Sequence, residues 1–229
     1  MKQALPQHIG FIMDGNRRWA EAHGRSANDG HAEGYESFRR VSDWCLDRGI
    51  EVATFWAFST ENWRRPKREI FALLKLLRHA LRTELKRFRE RNVRFNALGR
   101  LAAFPRDIQK EIRTAVEETK HNTRAVLNIG LNYGGREEIV DAIKKIVSGG
   151  FSPRAITAQL VNRFLYAPEL PEPDLIIRTS GEQRSSGFML WQAPYAEWVY
   201  SAKLWPEYSE SDLISALGEY AARSRNFGA

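Results

Sequence analysis

From residue 8 onward, short apolar runs rich in β-branched and aromatic residues alternate with longer segments whose apolar residues recur at helical spacing. This alternation constrains the fold more than any other feature of the chain. Residues 8–13, 52–58, 93–98, 125–131, 174–178 and 198–201 read as six strands. Between the first two, Tyr35, Phe38, Val41 and Cys45 mark a helix within residues 30–49, with Gly49 where a helix C-terminal glycine belongs. After Pro66, the residues Ile70, Leu73, Leu74, Leu77, Leu81, Leu85 and Phe88 form one apolar stripe on the longest helix, whose other face is strongly basic. Further helices follow Pro105 and span about residues 136–147, 157–165 (with Thr157 as N-cap) and 209–222. The pattern predicts an α/β fold: a single domain over residues 1–229, with a mostly parallel central sheet of about six strands flanked by helices. No linker or internal repeat divides it.

Sheets of this kind place ligands beyond the carboxyl ends of their strands. The polar clusters of this chain follow strand ends: Asp14-Gly15-Asn16-Arg17-Arg18, residues 59–65, Asn132-Tyr133-Gly134-Gly135-Arg136 and residues 178–184. Charge points the same way, because 35 Lys and Arg against 28 Asp and Glu leave +7, which suits an anionic partner. Of the 35 basic residues 26 are Arg, whose planar guanidinium pairs bidentately with phosphate oxygens; a GC-rich genome would produce the same bias. Cys45 is the single cysteine, which excludes an internal disulfide and a multi-cysteine zinc site and suits a cytoplasmic protein. The N-terminus lacks the apolar length of a signal peptide, and no segment approaches the ~18–20 apolar residues of a membrane span. Peripheral contact of the basic helix face with an anionic membrane surface stays open beside a merely solvated face.

The first cluster carries the most chemistry. A glycine between strand and helix lets the amides of the first helical turn face an anion. Arg17 and Arg18 add charge, whereas Asp14 is out of place beside phosphate unless a divalent cation bridges them. The plainer reading is a helix capped by Asp14 with two arginines in water. Neither a Walker A loop nor a dinucleotide Gly-x-Gly-x-x-Gly is present, and His8-Ile9-Gly10, inside a strand, carries no adenylylation site. Residues 59–65 read either as a second polar rim segment or as a helix-capping loop with Trp63 packed down. Residues 178–186 offer Arg178, Arg184, Ser185 and Ser186 beside Gly181, which frees the backbone for a second anion site. Two anion cradles and one carboxylate suggest a reaction of two phosphorylated substrates or on a diphosphate. The apolar stripe then reads as core or as a hydrophobic slot.

Taken together the motifs resemble the cis-prenyltransferase family, the Z-isoprenyl diphosphate synthases. The matching segments are residues 8–20, Ala57-Phe58-Ser59-Thr60-Glu61-Asn62-Trp63, Leu127-Asn128-Ile129 with residues 132–136, residues 174–184, and residues 188–192 with Tyr195, Ala196 and Glu197. They run in the family's order over about residues 8–228. The resemblance implies a Mg²⁺-dependent enzyme, a homodimer or heterodimer, that condenses isopentenyl diphosphate with an allylic diphosphate (dimethylallyl, geranyl or farnesyl) and holds the growing chain in a hydrophobic tunnel. It implies that Asp14, His31 and Asn62 are catalytic, with Asp14 and Glu197 near the metal. Gly15, Asn16, Arg17, Arg18 and Trp19 would cradle the allylic diphosphate. Ser59, Trp63 and Arg65 would join the active site, and Arg178, Arg184 and Ser186 would bind isopentenyl diphosphate. Bulk at Trp56, Gly130 or Leu131 would limit product length.

Three positions depart from the family pattern. Ala27 stands where an Arg is usual, Gly187 where an Asn is usual, and Asn226-Phe227-Gly228 replaces Arg-x-Gly. Each removes a ligand or positioning group, and a lost charge-assisted hydrogen bond costs about 1.5–3 kcal/mol of binding unless Arg17, Arg25, Arg223 or Arg225 substitutes. The competing reading is a non-catalytic partner subunit of a two-subunit cis-prenyltransferase. Nucleic acid is not an expected partner, because the aromatics are not interleaved with Lys and Arg in a stacking pattern.

Overall fold

A computed structural model describes residues 5–223. Its elements are β1 (His8–Ile12), α1 (Asn16–Ala22), α2 (Ala27–Asp47), β2 (Val52–Ser59), α3 (Lys67–Glu90), β3 (Val93–Leu98), α4 (Arg106–Thr119), β4 (Ala125–Tyr133), α5 (Gly135–Ser148), α6 (Ala158–Phe164), β5 (Leu175–Arg178), β6 (Glu197–Tyr200) and α7 (Glu210–Ala222). Six strands form one sheet in the order β3-β4-β2-β1-β5-β6, and every pairing is parallel rather than most. All strand carboxyl ends therefore share one rim. The strands nearest the middle are largely buried on both faces, as helices on both sides require.

Local chemistry explains where the boundaries differ from the periodicity. α2 begins four residues before His31, because Ser26 and Asp29 form a reciprocal cap: Asp29 N–H donates to Ser26 Oγ at 3.3 Å and Ser26 N–H to Asp29 Oδ2 at 3.0 Å. Gly49, at φ +79°, ends that helix where the sequence places it. β2 runs one residue past Phe58, and its register against β4 slips between Trp56 and Phe58, so that Ala57 is the extra residue of a bulge.

Most of the larger core lies between the sheet and α2, α3, α4 and α7, with Phe11 stacked on Phe55 at 4.7 Å and both against Trp205. The other face carries a buried polar tie. His8 bonds the Pro171 carbonyl through Nδ1 (2.8 Å) and Thr54 Oγ1 through Nε2 (2.8 Å), and Asn128 Nδ2 donates to the same hydroxyl at 2.9 Å. Three strands are thus linked by neutral groups. Burial pushes the His8 pKa down to about 4, against the opposing pull of the Pro171 carbonyl and Asp174. The unfolded chain takes up this proton near pH 6.5 and the folded chain does not, so stability is complete above that pH and falls as pH drops toward 4. The expected loss is about 3 kcal/mol, read as a falling urea midpoint. His8→Gln should flatten that part of the pH profile.

The basic face of α3 is largely paired. Arg78 meets Asp107, Arg82 meets Glu111 at 2.7 Å and Arg89 meets Glu118 at 3.2 Å. The offset is 29 residues each time because α3 and α4 lie side by side in the same direction. On the other flank Arg87 and Arg91 reach Asp43 of α2. Such surface pairs contribute at most about 1 kcal/mol each, but they fix the helix register.

Candidate active site

The site begins with sheet register. Ile12 of β1 pairs with Arg178 of β5, so the loop after β1 and the last side chain of β5 emerge at one level of the rim. Arg178 is only 3% exposed. It donates from Nε at 3.0 Å and Nη2 at 2.6 Å to Asp14 Oδ2, and from Nη1 to Ser186 Oγ at 2.9 Å and to the Arg184 carbonyl. Those four contacts satisfy a cation that would otherwise be costly to bury. The Asp14 backbone is pinned as well, its carbonyl accepting from Thr179 Oγ1 at 2.7 Å and from Trp205 N–H at 3.0 Å.

Gly15 follows at φ +110°, and a Cβ there would meet Leu204 Cα at 3.0 Å, so only glycine lets α1 start here. The N-terminus of α1 sits on two glycines of α2: a Cβ on Gly30 would come within 2.2 Å of the Asn16 carbonyl oxygen, and one on Gly34 within 2.1 Å of Asn16 Oδ1. Asn16 Oδ1 is buried without a partner. Arg17 and Arg18 are exposed on this rim, and Arg18 Nη1 donates to the Ser180 carbonyl at 3.2 Å. Trp19 is turned inward, 8% exposed and stacked on His23.

Two amides of the loop after β5 are taken up within the protein. The Ser180 and Gly181 amides donate to the carbonyls of Lys203 (2.6 Å) and Ser201 (2.8 Å). Ser186 is presented by left-handed backbone at φ +49° and followed by Gly187 at φ +85°. Glycine adopts that conformation as readily as the Asn usual in the family, so the departure at 187 removes a side chain without straining the loop. Arg184 is exposed and pairs with Glu182.

A second group stands where α2 faces the start of α3. His31 Nε2 lies 3.3 Å from both Glu69 Oε1 and Arg65 Nη1, and Arg65 Nη1 donates to Glu69 Oε1 at 2.9 Å. Burial lowers the His31 pKa, outweighing the pull of Glu69. Burial alone would raise the Glu69 pKa, but His31, Arg65 and Arg17 hold the carboxyl below its usual range. Glu69 was not legible in the sequence, because nothing in residues 66–70 marks it as buried.

The loop 59–65 is built mainly by its own caps. Asn62 Oδ1 accepts from Ser59 N–H at 3.1 Å, and the Trp63 indole N–H donates to Asn132 Oδ1 at 2.9 Å with its ring against Phe58 and Phe104. Trp63 packs down while Arg65 reaches across the rim. Glu197 lies elsewhere: it opens β6, level with Leu175 at the amino end of β5, and pairs with Arg223 at 2.6 Å. Within this chain it does not join Asp14. Among the described residues no group of three His, Cys, Asp or Glu side chains is placed to hold a metal. Ala27 opens α2 beside its Ser26 cap. Arg25 lies over the Trp19 ring, and residues 224–229, with Arg225 and the Asn226 departure, lie outside the described residues.

From Asn16 and His31 an apolar cavity runs between α2, α3 and the sheet down to Phe88, Phe95 and Ala115. Leu73, Leu77 and Leu81 of the α3 stripe form one wall, and Leu131 contributes to the sheet side. The stripe is therefore slot as well as core. Trp56 also borders the cavity, yet its ring stacks on Phe188 at 5.2 Å and its N–H donates to the Tyr133 carbonyl. Gly130 lies beneath that ring and is not part of the lining. Deep in the otherwise apolar wall, Tyr35 OH donates to buried Glu84 at 2.7 Å.

A parallel α/β sheet whose rim gathers an Asp–Arg pair and exposed arginines at the mouth of an apolar cavity defines a protein built to take a ligand with an anionic head and an apolar tail. Residues 12–228 match the family described as "Putative undecaprenyl diphosphate synthase". The chain belongs to this family of prenyl-transferring enzymes, the cis-prenyltransferases. It is 43% identical to an isoprenyl transferase of Heliobacterium mobile over 98% of this chain and 88% of that one. Against an isoprenyl transferase of Thermus thermophilus the identity is 44%, over 98% and 89%. Its fold superposes on a lavandulyl diphosphate synthase from Lavandula x intermedia, solved with dimethylallyl diphosphate, with a TM-score of 0.93, 32% identity and coverage of 98% and 99%.

Proposed function

We propose that the chain condenses isopentenyl diphosphate with an allylic diphosphate by the following division of labour. The observation that supports it is the sharing of Asn16 and His31 between the polar rim and the mouth of the apolar cavity, which suits a diphosphate head near Asp14 with its hydrocarbon tail along α3. Gly15, Asn16, Arg17 and Arg18 hold the allylic diphosphate, with His31, Asn62 and Arg65 at its edge. Arg178, Arg184 and Ser186 hold isopentenyl diphosphate on the opposite side of Asp14. The bond between allylic C1 and its diphosphate oxygen breaks, a new bond forms from the isopentenyl double bond to C1, and the proton leaves isopentenyl C2. Arginines around the departing diphosphate stabilise its developing charge.

The donor set fits Mg²⁺. Both Arg178 bonds go to Oδ2 of Asp14, so Oδ1, on a side chain 38% exposed, is available as a hard oxygen ligand. With one carboxylate at hand, substrate oxygens and water would supply the rest, the usual arrangement for Mg²⁺ at phosphates. When bound, the ion neutralises charge on the leaving diphosphate. The role of Glu197 toward a metal would require a source of proximity outside this chain's own rim, such as a second subunit.

A homodimer is supported by an apolar stripe on α5, where Val140, Ile143 and Val147 are 44%, 49% and 70% exposed, continued by Leu190 near Gly135. No observation favours a non-catalytic subunit, since Asp14, His31 and Arg178 are all held in place. No described helix is long and apolar enough to cross a membrane.

Incubating the chain with Mg²⁺, isopentenyl diphosphate and dimethylallyl, geranyl or farnesyl diphosphate in turn tests the reading. Mass spectrometry is expected to show products longer by whole isopentenyl units, lost when the metal is chelated. The absence of product from every allylic donor would overturn it.

A further inference from the structure

We propose that the N-terminal half of α3 docks on an anionic lipid bilayer, with Phe71 entering the headgroup region and Lys67, Arg68 and Lys75 lying against it. α4 begins only at the level of Arg78, which meets Asp107 in its first turn. Residues 67–77 of α3 therefore precede the stretch that pairs with α4, and among the described residues Lys67, Arg68, Phe71 and Lys75 there are all exposed. The charges divide at the same point. From Arg78 onward Arg78, Arg82, Lys86, Arg87 and Arg89 are ion-paired, whereas Lys67, Arg68 and Lys75 are exposed and make no ion pair among the described residues. Phe71, at i+3 from Arg68 and i−4 from Lys75, shares their face and is 70% exposed. An exposed aromatic ring among unpaired cations is the composition of an interfacial helix face.

The position next to the cavity adds the reason. A groove between α2 and α3 is lined by His31, Ala72, Leu73, Lys75, Leu76 and His79. Leu73, Leu76 and His31 also line the apolar cavity. The groove thus shares three wall residues with the apolar cavity, and Lys75 on its rim belongs to the same helix face as Phe71. A bilayer seated there receives a hydrocarbon chain leaving between the two helices without exposing it to water. Only that purpose rests on the prenyl-transfer reading; the docking surface itself is independent of it.

The test is co-sedimentation of the purified chain with vesicles of phosphatidylcholine alone and of phosphatidylcholine mixed with phosphatidylglycerol. Binding is expected on the anionic vesicles only, weakening with added salt. The triple variant K67Q/R68Q/K75Q is expected to bind about a hundredfold less, roughly fivefold for each cation removed. Phe71→Ser should also weaken binding, and Phe71→Trp should retain it. Circular dichroism checks that each variant is folded, and turnover of soluble substrates should be unchanged in all of them. No binding by the parent chain, equal binding to neutral vesicles, or unchanged binding by the triple variant would each overturn the proposal. Vesicle binding by a chain that turns over no diphosphate would leave the surface standing and overturn the reading of its purpose.

Discussion

Asp14→Asn is expected to lower the condensation rate by about a hundred- to a thousandfold, the scale of losing one preorganised charge-stabilising group, while the protein stays folded. The asparagine is nearly the same shape and keeps a carbonyl oxygen to accept from Arg178, which now donates to Asp14 Oδ2 at 3.0 and 2.6 Å. What it lacks is the anionic oxygen facing the rim. Asp14→Ala removes both and adds a structural penalty, because Arg178 is 3% exposed and loses its counter-charge. That penalty should be a fraction of the about 3–5 kcal/mol typical of a broken buried pair, since Arg178 keeps the Ser186 hydroxyl and the Arg184 carbonyl. Single-turnover rates and thermal melts of the two variants separate the effects. Equal activity of Asp14→Asn and the parent chain would remove Asp14 from the chemistry.

The sequence placed elements better than it placed side chains. β3 ends where its apolar run ends, at Val93 and Leu98, and the N-cap Thr157 accepts from Leu160 N–H at 3.2 Å as its position suggested. These are local properties, decided by periodicity and capping. The Asp14–Arg178 pair spans 164 residues and depends on which strands are neighbours, which periodicity does not encode. Glu69 is similar in part: Arg65 is its local neighbour at i−4, but His31 meets it only once α2 packs beside α3. The pairing of the Ser180 and Gly181 amides was hidden for a related reason: it is the loop after β6 that returns carbonyls to them. Arg-rich clusters were visible, but which arginines of α3 pair with α4 is decided by the offset between the two helices.

Substituting Ala57 by Leu is expected to shorten the products, and the bulge in β2 is the reason. β2 lies between β4 and β1 in the sheet interior, where a strand residue is normally covered on both faces. Ala57 is the extra residue between Trp56 and Phe58, is exposed, and lines the apolar cavity. A larger side chain at this point enters space the growing chain would occupy, which Leu73 and Leu77 of α3 also line. The first condensation should proceed at nearly the parent rate while later ones stop, so that mass spectra shift toward short chains at matched turnover. Trp56→Ala is the contrasting case. The Trp56 ring is stacked on Phe188 and edge-on to Tyr133, on the face away from the larger core. Its loss should cost up to about 3–5 kcal/mol of stability with product length unchanged. If Ala57→Leu left the product distribution as in the parent chain, or Trp56→Ala shifted it, the path of the prenyl chain along α3 would be wrong.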